Sequence, residues 1–281
     1  MNNPQALTVK DILQKKRSRK KITMLTAYDY PMASFIVKAG IDIILVGDSL
    51  ANVVLGLDST KDVGMAEMIH HAKAVRRAVK RALLVGDMPY GSYAEEKKAV
   101  FNARRFVSEA GCNAVKLEWF DDCPRVSRAI INAGIPVMGH VGLTPQTADQ
   151  LGGLKVQGKD ASAAKRIILN AESLDKIGYF SLVLECIPDK IAQMITKAVS
   201  IPTIGIGAGK YCDGQVLVTY DLLGLFDRFK PKFVKQYHHL SAEILKAVGR
   251  YRDDVLKGQF PGDKHSFKID SEELKEVRRK V

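Results

Sequence analysis

The sequence predicts an α/β protein: a closed (β/α)8 barrel of the TIM type, with a basic N-terminal helix and a C-terminal extension. Three observations predict it. Eight short apolar runs alternate with helical patterns along 281 residues, close to the length such a barrel takes as one domain. The runs are mostly continuous rather than alternating, as strands covered on both faces are. Four of them stop at an acid: Asp48, Asp87, Glu118 and Glu185. An open doubly wound sheet is the runner-up, but no GxGxxG fingerprint stands at the first turn. The chain is therefore expected to be one domain over 1–281, with 1–21 as a basic leading segment and 258–281 as an arm.

The elements follow in order. Thr8 and Asp11 have capping-box spacing and open a basic helix that reaches about Lys16. A helix there is placed to plug the bottom of the barrel. Residues 22–26 form the first strand. Pro31 opens a helix that ends near Gly40, the usual asymmetry of proline at the start and glycine past the end. Residues 43–46 are the second strand, and a small, polar loop runs to about Lys61. Met65, Met68, Ile69, Ala72, Val75 and Val79 share one face of a helix over 65–81. The remaining strands are expected at 83–86, 114–117, 136–140, 182–184, 202–209 and 215–218. Helices over 94–109, 124–133, 160–176 and 188–199 separate most of them. Helical material follows at 230–256, and the arm carries a short helix over 272–280.

Two stretches stand out between these elements. Residues 141–159 hold Gly142, Gly152, Gly153 and Gly158, and loops of that length are usually functional or disordered. Gly205 to Gly209 could cradle an anion, allow a planar ligand to approach, or simply make a tight turn.

Composition narrows the function classes. No segment approaches the roughly 18 continuous apolar residues of a membrane span. The N-terminus lacks a signal-peptide core, and its Lys-rich run with Asp11 does not match a transit peptide. Cys112, Cys123, Cys186 and Cys212 form no CxxC pair, so reduced thiols in a cytoplasmic protein are expected. A net charge of +12 suits nucleic acid or an anionic metabolite. The basic residues are spread along the chain, with no nucleic-acid motif and few aromatics. The metabolite is the better expectation, with neither nucleic acid nor membrane as a partner.

In a (β/α)8 barrel the strand ends at the C-terminal face meet around one mouth. Asp48, Asp87, Glu118, His140 and Glu185 all fall there. A single strand-end acid is most simply a helix cap; four at corresponding positions argue for a site, while Asp29, Asp62 and Asp149 read as caps or surface residues. Converging carboxylates repel one another, and a divalent cation relieves this. Oxygen ligands suit a hard ion such as magnesium. Lys116 lies two residues before Glu118, so both face the same side of the strand. It either pairs with Glu118 or binds a substrate carboxylate or oxyanion. His140 is either a satisfied buried histidine or a hydrogen-bond partner of substrate, and a lone histidine argues against zinc. Glu185 follows an apolar run across from the other three acids, which suits it to act as a base near neutrality. A cation, an anion-binding lysine and a separate base point to one reaction class. A 2-oxo acid loses the proton beside its carbonyl, and its enolate attacks an electrophile. The electrophile is not identified by this chemistry.

At these residues the sequence closely resembles the ketopantoate hydroxymethyltransferase family, from Thr8 to about Phe267. The resemblance is carried by Thr26-Ala27-Tyr28-Asp29-Tyr30, Val46-Gly47-Asp48-Ser49-Leu50, Gly86-Asp87-Met88-Pro89-Tyr90-Gly91-Ser92-Tyr93 and Val115-Lys116-Leu117-Glu118. It continues through residues 136–146, Leu184-Glu185, residues 204–209, Asp213-Gly214-Gln215 and residues 231–235. The departures are small: Tyr90 stands where Phe is common, and Lys210-Tyr211 lies in a variable part of the glycine loop. The resemblance implies transfer of a hydroxymethyl group from 5,10-methylenetetrahydrofolate to α-ketoisovalerate (3-methyl-2-oxobutanoate), giving ketopantoate on the route to pantothenate and coenzyme A. It implies one Mg2+ at Asp48, Asp87 and Glu118, with Glu118 ligating directly or through water. It further implies keto-acid contacts from Asp48, Ser49, Asp87 and Lys116, Glu185 as general base, and His140 in support. A cytoplasmic homodecamer, a pentamer of dimers, goes with it. The nearest rival is a metal-dependent lyase or aldolase of the pyruvate and phosphoenolpyruvate barrels, whose Lys-Lys-Cys-Gly-His motif is missing here. A basic nucleic-acid-binding protein is the distant rival.

Overall fold

The computed structural model describes residues 6–280. Residues 1–5 of the leading segment and Val281 at the end of the arm lie outside the described residues. Eight parallel strands close into a barrel in chain order: β1 (Ile22–Thr26), β2 (Ile43–Val46), β3 (Leu83–Asp87), β4 (Ala114–Lys116), β5 (Val137–Gly142), β6 (Ser181–Glu185), β7 (Thr203–Ile206) and β8 (Gly214–Leu217). Closure is direct: Thr23 of β1 stands opposite Gln215 of β8, and Met24 opposite Val216. That excludes the open sheet.

The capping box at Thr8 and Asp11 forms as expected and starts α1 (Val9–Arg17). Ile12 of α1 is fully buried among Ile22, Met24, Ile43, Leu45, Leu83, Val85 and Val183. These are inward-facing strand residues, so α1 closes the N-terminal end of the barrel. The alternate residues Ile44, Val46, Leu84, Val115, Leu117, Leu182 and Leu184 pack outward against the helices. Period two therefore sorts each strand between an inner and an outer layer.

The helical shell comprises α2 (Tyr30–Lys38), α3 (Leu50–Val53), α4 (Met65–Ala78), α5 (Glu96–Ser108), α6 (Cys123–Asn132), α7 (Ala161–Ile177), α8 (Asp189–Ala198) and α9 (Thr219–Leu223). Asp29 caps α2 by accepting from the Met32 amide at 2.8 Å. Asp160 caps α7, which stops at Gly178 in the left-handed region. Asp149 pairs with Lys61 at the surface. Both Asp29 and Asp149 thus have the structural roles expected of them.

Several boundaries differ from the sequence expectation. The helix expected at 65–81 ends at Ala78. The glycine-rich loop contains a 3-10 segment, Pro145–Leu151. Helical material expected from Lys230 begins only at α10 (Leu240–Leu256), because Gly224 takes a left-handed backbone and Pro231 interrupts the stretch between. No residue of α10 is buried. The arm carries α11 (Ser271–Lys280). Gly207 makes a tight turn: its φ is +64°, and a Cβ there would lie 2.8 Å from the Phe233 ring. No helix among the described residues is long and apolar enough to cross a membrane, and all four cysteines carry free thiols.

Candidate active site

The inner-layer series leads directly to the polar cluster. Leu83 and Val85 are followed two residues on by Asp87, Ala114 by Lys116 and then Glu118, Met138 by His140, and Val183 by Glu185. Each strand thus delivers a chemical side chain into the barrel at its C-terminal end. Asp48 and Ser49 lie just past β2, in the turn before α3. The Asp48 amide donates to Asp87 Oδ2 at 3.2 Å, which ties that turn to β3. Asp48, Asp87, Lys116, Glu118 and His140 are all buried. The structure therefore brings together the acids, the lysine and the histidine that the sequence placed at one mouth.

Lys116 corrects one sequence alternative. Its ammonium lies 2.6 Å from Asp87 Oδ1, so its ion-pair partner is Asp87 and not Glu118. The cause is register: Asp87 and Lys116 are partner positions across β3 and β4. Glu118 takes other partners. Its Oε2 accepts from the Gln146 amide at 3.0 Å, and its Oε1 lies 3.6 Å from His140 Nδ1. His140 Nε2 lies 3.1 Å from Glu185 Oε2. Neither contact of the imidazole is aligned as a hydrogen bond, so both buried ring nitrogens lack one. Ser49 Oγ is 2.8 Å from the Tyr28 phenol oxygen. Gly142, opposite Glu185 in the ladder, has φ +100°, and a Cβ there would come within 2.3 Å of the Glu185 carbonyl oxygen. Glycine is what lets β5 and the end of β6 approach beside the acid.

Charge in this pocket is unbalanced. Burial, followed by repulsion from Asp87, pushes the Asp48 carboxyl up to about 7. Burial likewise holds Glu118 well above the carboxylate range, against the pull of Lys116. Burial alone would lower Lys116, but Asp87, Asp48 and Glu118 more than reverse it, so the ammonium stays charged. One lysine does not neutralise this many acids. Among the described residues no three His, Cys, Asp or Glu side chains form a ready-made metal cage; Lys116 bonds to Asp87, and Gln146 to Asp48 and Glu118. The donor set nevertheless fits a hard divalent ion, which needs only one or two carboxylates beside water and substrate oxygens.

Two features escaped the sequence reading. Gln146, the last residue of the matched stretch 136–146, is fully buried and bonds to Asp48 and Met88. Beside the acids lies a cavity of about 900 Å3, walled by Tyr90, Tyr93, Trp119, Phe120, Arg166 and Asn170 among others. In the amide orientation that satisfies both neighbours, Asn170 accepts from the Trp119 indole N–H at 3.1 Å. A signal was present for each: a polar Thr144-Pro145-Gln146-Thr147 stretch straight after a strand, and aromatics just past the third and fourth strands.

A closed parallel barrel with a buried acid, lysine and histidine cluster at its C-terminal strand ends defines a (β/α)8-barrel enzyme. The family model described as ketopantoate hydroxymethyltransferase matches residues 6–263, and the chain belongs to that family. It is 53% identical over 269 residues to the 3-methyl-2-oxobutanoate hydroxymethyltransferase of Syntrophomonas wolfei, covering 95% of this chain and 98% of that one. It is 54% identical to the enzyme of the same name from Moorella thermoacetica, over 93% of this chain and 98% of the relative. Among solved structures, phosphonopyruvate hydrolase in complex with oxalate and Mg2+ aligns at TM-score 0.58 and 12% identity, over 98% of this chain and 97% of that one. 2,3-Dimethylmalate lyase aligns at TM-score 0.59 and 12% identity, over 98% and 95%. At that identity the likeness is one of fold.

Proposed function

We propose that this enzyme transfers a hydroxymethyl group to 3-methyl-2-oxobutanoate, with 5,10-methylenetetrahydrofolate as donor and one Mg2+ per subunit. The observation that carries the reading is the convergence of Asp48, Asp87, Lys116, Glu118, His140 and Glu185 on one mouth, in a chain of this family. Asp48 and Asp87 would hold the cation, with Glu118 ligating directly or through water. When bound, the cation supplies Lewis-acid stabilisation of the keto acid's carbonyl oxygen.

The protein's own groups supply the rest. Lys116 fixes Asp87 and offers positive charge to the substrate's anionic end. Ser49, held by Tyr28, donates to the keto acid. Glu185 takes the proton from C3, and the electron pair of that C–H bond leaves an enolate with its charge on oxygen. His140, between Glu118 and Glu185, has nitrogens to spare for substrate. On the donor, one of the two bonds from the methylene carbon to folate nitrogen opens, water adds to that carbon, and the second C–N bond breaks, so that tetrahydrofolate leaves with a hydrogen on each nitrogen. C3 bonds to the formaldehyde so released, and its oxygen takes up a proton to become the hydroxyl.

The donor's place in this reading is the aromatic cavity. Its volume is within the range of small-molecule sites. Tyr90, Tyr93, Trp119 and Phe120 suit a flat heterocycle, and Arg166 suits an anionic tail. The reading also includes cytoplasmic residence and a homodecamer. α10 supports an assembly, since Leu245, Val248 and Tyr251 are exposed on a helix with no buried residue.

The test is proton NMR of 3-methyl-2-oxobutanoate in D2O. Enzyme with Mg2+ is expected to exchange the C3 proton without donor. Glu185→Gln is expected to slow exchange by about 100- to 10,000-fold. Exchange that survives both chelation and Glu185→Gln would exclude the mechanism. Ketopantoate formed only when methylenetetrahydrofolate is present would identify the donor.

A further inference from the structure

Gln146 stands in a loop and is nonetheless fully buried. Its side-chain bonds lead to the acid cluster, to the cavity wall and to the backbone just past β3. Nε2 donates to Asp48 Oδ2 at 2.8 Å and to the Met88 carbonyl at 3.1 Å. Oε1 accepts from the Tyr93 phenol. Its backbone N–H donates to Glu118 Oε2. One residue of the 3-10 segment Pro145–Leu151 therefore grips the two acids that Lys116 does not pair with.

The direction of the amide is fixed by its partners. The Met88 carbonyl can only accept, so the amide N–H2 faces it and Asp48. The amide oxygen then faces Tyr93, whose phenol donates to it. Tyr93 in turn packs on Phe120, with ring centroids 5.6 Å apart, and both line the cavity. Thr147, Gln150 and Leu151 of the same segment line it too.

Resting on the reading that the cavity seats the donor, we propose that Gln146 is a positioning residue that couples that cavity, through Tyr93, to the cation and keto-acid site. Its amide holds Asp48 Oδ2, and its backbone holds Glu118 Oε2, which leaves the other oxygen of each acid for cation or water. A donor packed on Tyr93 and on the Pro145–Leu151 segment favours the arrangement in which both bonds are made. Keto acid and donor then bind cooperatively, and the linkage is reciprocal. Partners behind ligating carboxylates act in this way on affinity as well as on rate.

Calorimetry tests this without turnover. 3-Methyl-2-oxobutanoate is titrated in saturating Mg2+, with and without tetrahydrofolate, which fills the donor's place but carries no one-carbon unit. Tetrahydrofolate is expected to tighten keto-acid binding by about 5-fold or more in the unaltered enzyme. Tyr93→Phe removes one hydroxyl; it is expected to bind tetrahydrofolate and lose the tightening. Gln146→Met, of similar volume, is expected to weaken Mg2+ itself by about 10-fold. Full tightening in Tyr93→Phe would overturn the coupling. A lowered melting temperature with unchanged Mg2+ affinity in Gln146→Met would make the residue merely structural and overturn its positioning role. The two readings fail differently: tetrahydrofolate heat without tightening removes the coupling alone, whereas no tetrahydrofolate heat removes the donor seat and the coupling with it.

Discussion

Asp48 is the residue whose ionisation most directly reports the acid cluster. Its carboxyl titrates at about 7 in the fold against an ordinary 3.8, so between those values the folded chain binds more protons than the unfolded one. Its contribution to stability is fully present below 3.8 and is lost as pH rises through about 7. A bound cation reverses this, because it favours the ionised form. The gain in melting temperature on adding Mg2+ is therefore expected to be larger at pH 8 than at pH 6, read by thermal shift in matched buffers. Asp48 and its neighbour separate further. Asp48→Asn is expected to weaken Mg2+ and slow C3 exchange together. Ser49→Ala is expected mainly to raise the KM for the keto acid, and steady-state kinetics with a Mg2+ titration distinguish the two. The acids were legible because each ends an apolar run. The partner of Lys116 was not, because Asp87 is 29 positions away and only strand register sets it opposite. Gln146 carries no periodicity at all; its importance comes from a loop folding back over two acids.

Elements with a strong hydrophobic period were read well, and those set by tertiary contact were not. β2 and α7 announce themselves through unbroken apolar residues, and through an Asp cap with a glycine stop. The five-residue α9 is too short to show a helical period, and Pro231 was a stop signal inside the stretch expected to be helical, where the helix begins only at Leu240. At its C-terminal end the β5–β6 pairing depends on the small residue Gly142. Gly142→Ala is expected to destabilise the fold by about 1–3 kcal/mol, since it strains a left-handed backbone. It would also drive a methyl against the Glu185 carbonyl, so exchange activity is expected to fall more than stability does. Denaturant unfolding paired with the D2O assay measures both. Cys186, directly after Glu185, also adopts a left-handed φ of 46°. Its carbonyl accepts from the Gln157 amide at 2.9 Å, which fastens the far end of the glycine-rich loop beside the base.

At the scale of the molecule, the barrel's closure was legible because eight runs in this length leave little else. The filling of its lower end was legible only as a suggestion from a basic helix. α1 makes that suggestion physical: Ile12 completes a solid apolar layer beneath the acids. Among the described residues the barrel is therefore a shaft blind at its lower end, with its doorway at the C-terminal face. Keto acid, donor, water and both products must all use the C-terminal opening, and the aromatic cavity lies nearer to solvent than the acids do. Traffic through one doorway imposes a queue, with the keto acid first in and its hydroxymethylated product last out. Labelled 3-methyl-2-oxobutanoate preloaded with Mg2+ is accordingly expected to escape into a chase far more slowly once tetrahydrofolate is added. Escape at an unchanged rate would mean that the shaft has a second way out.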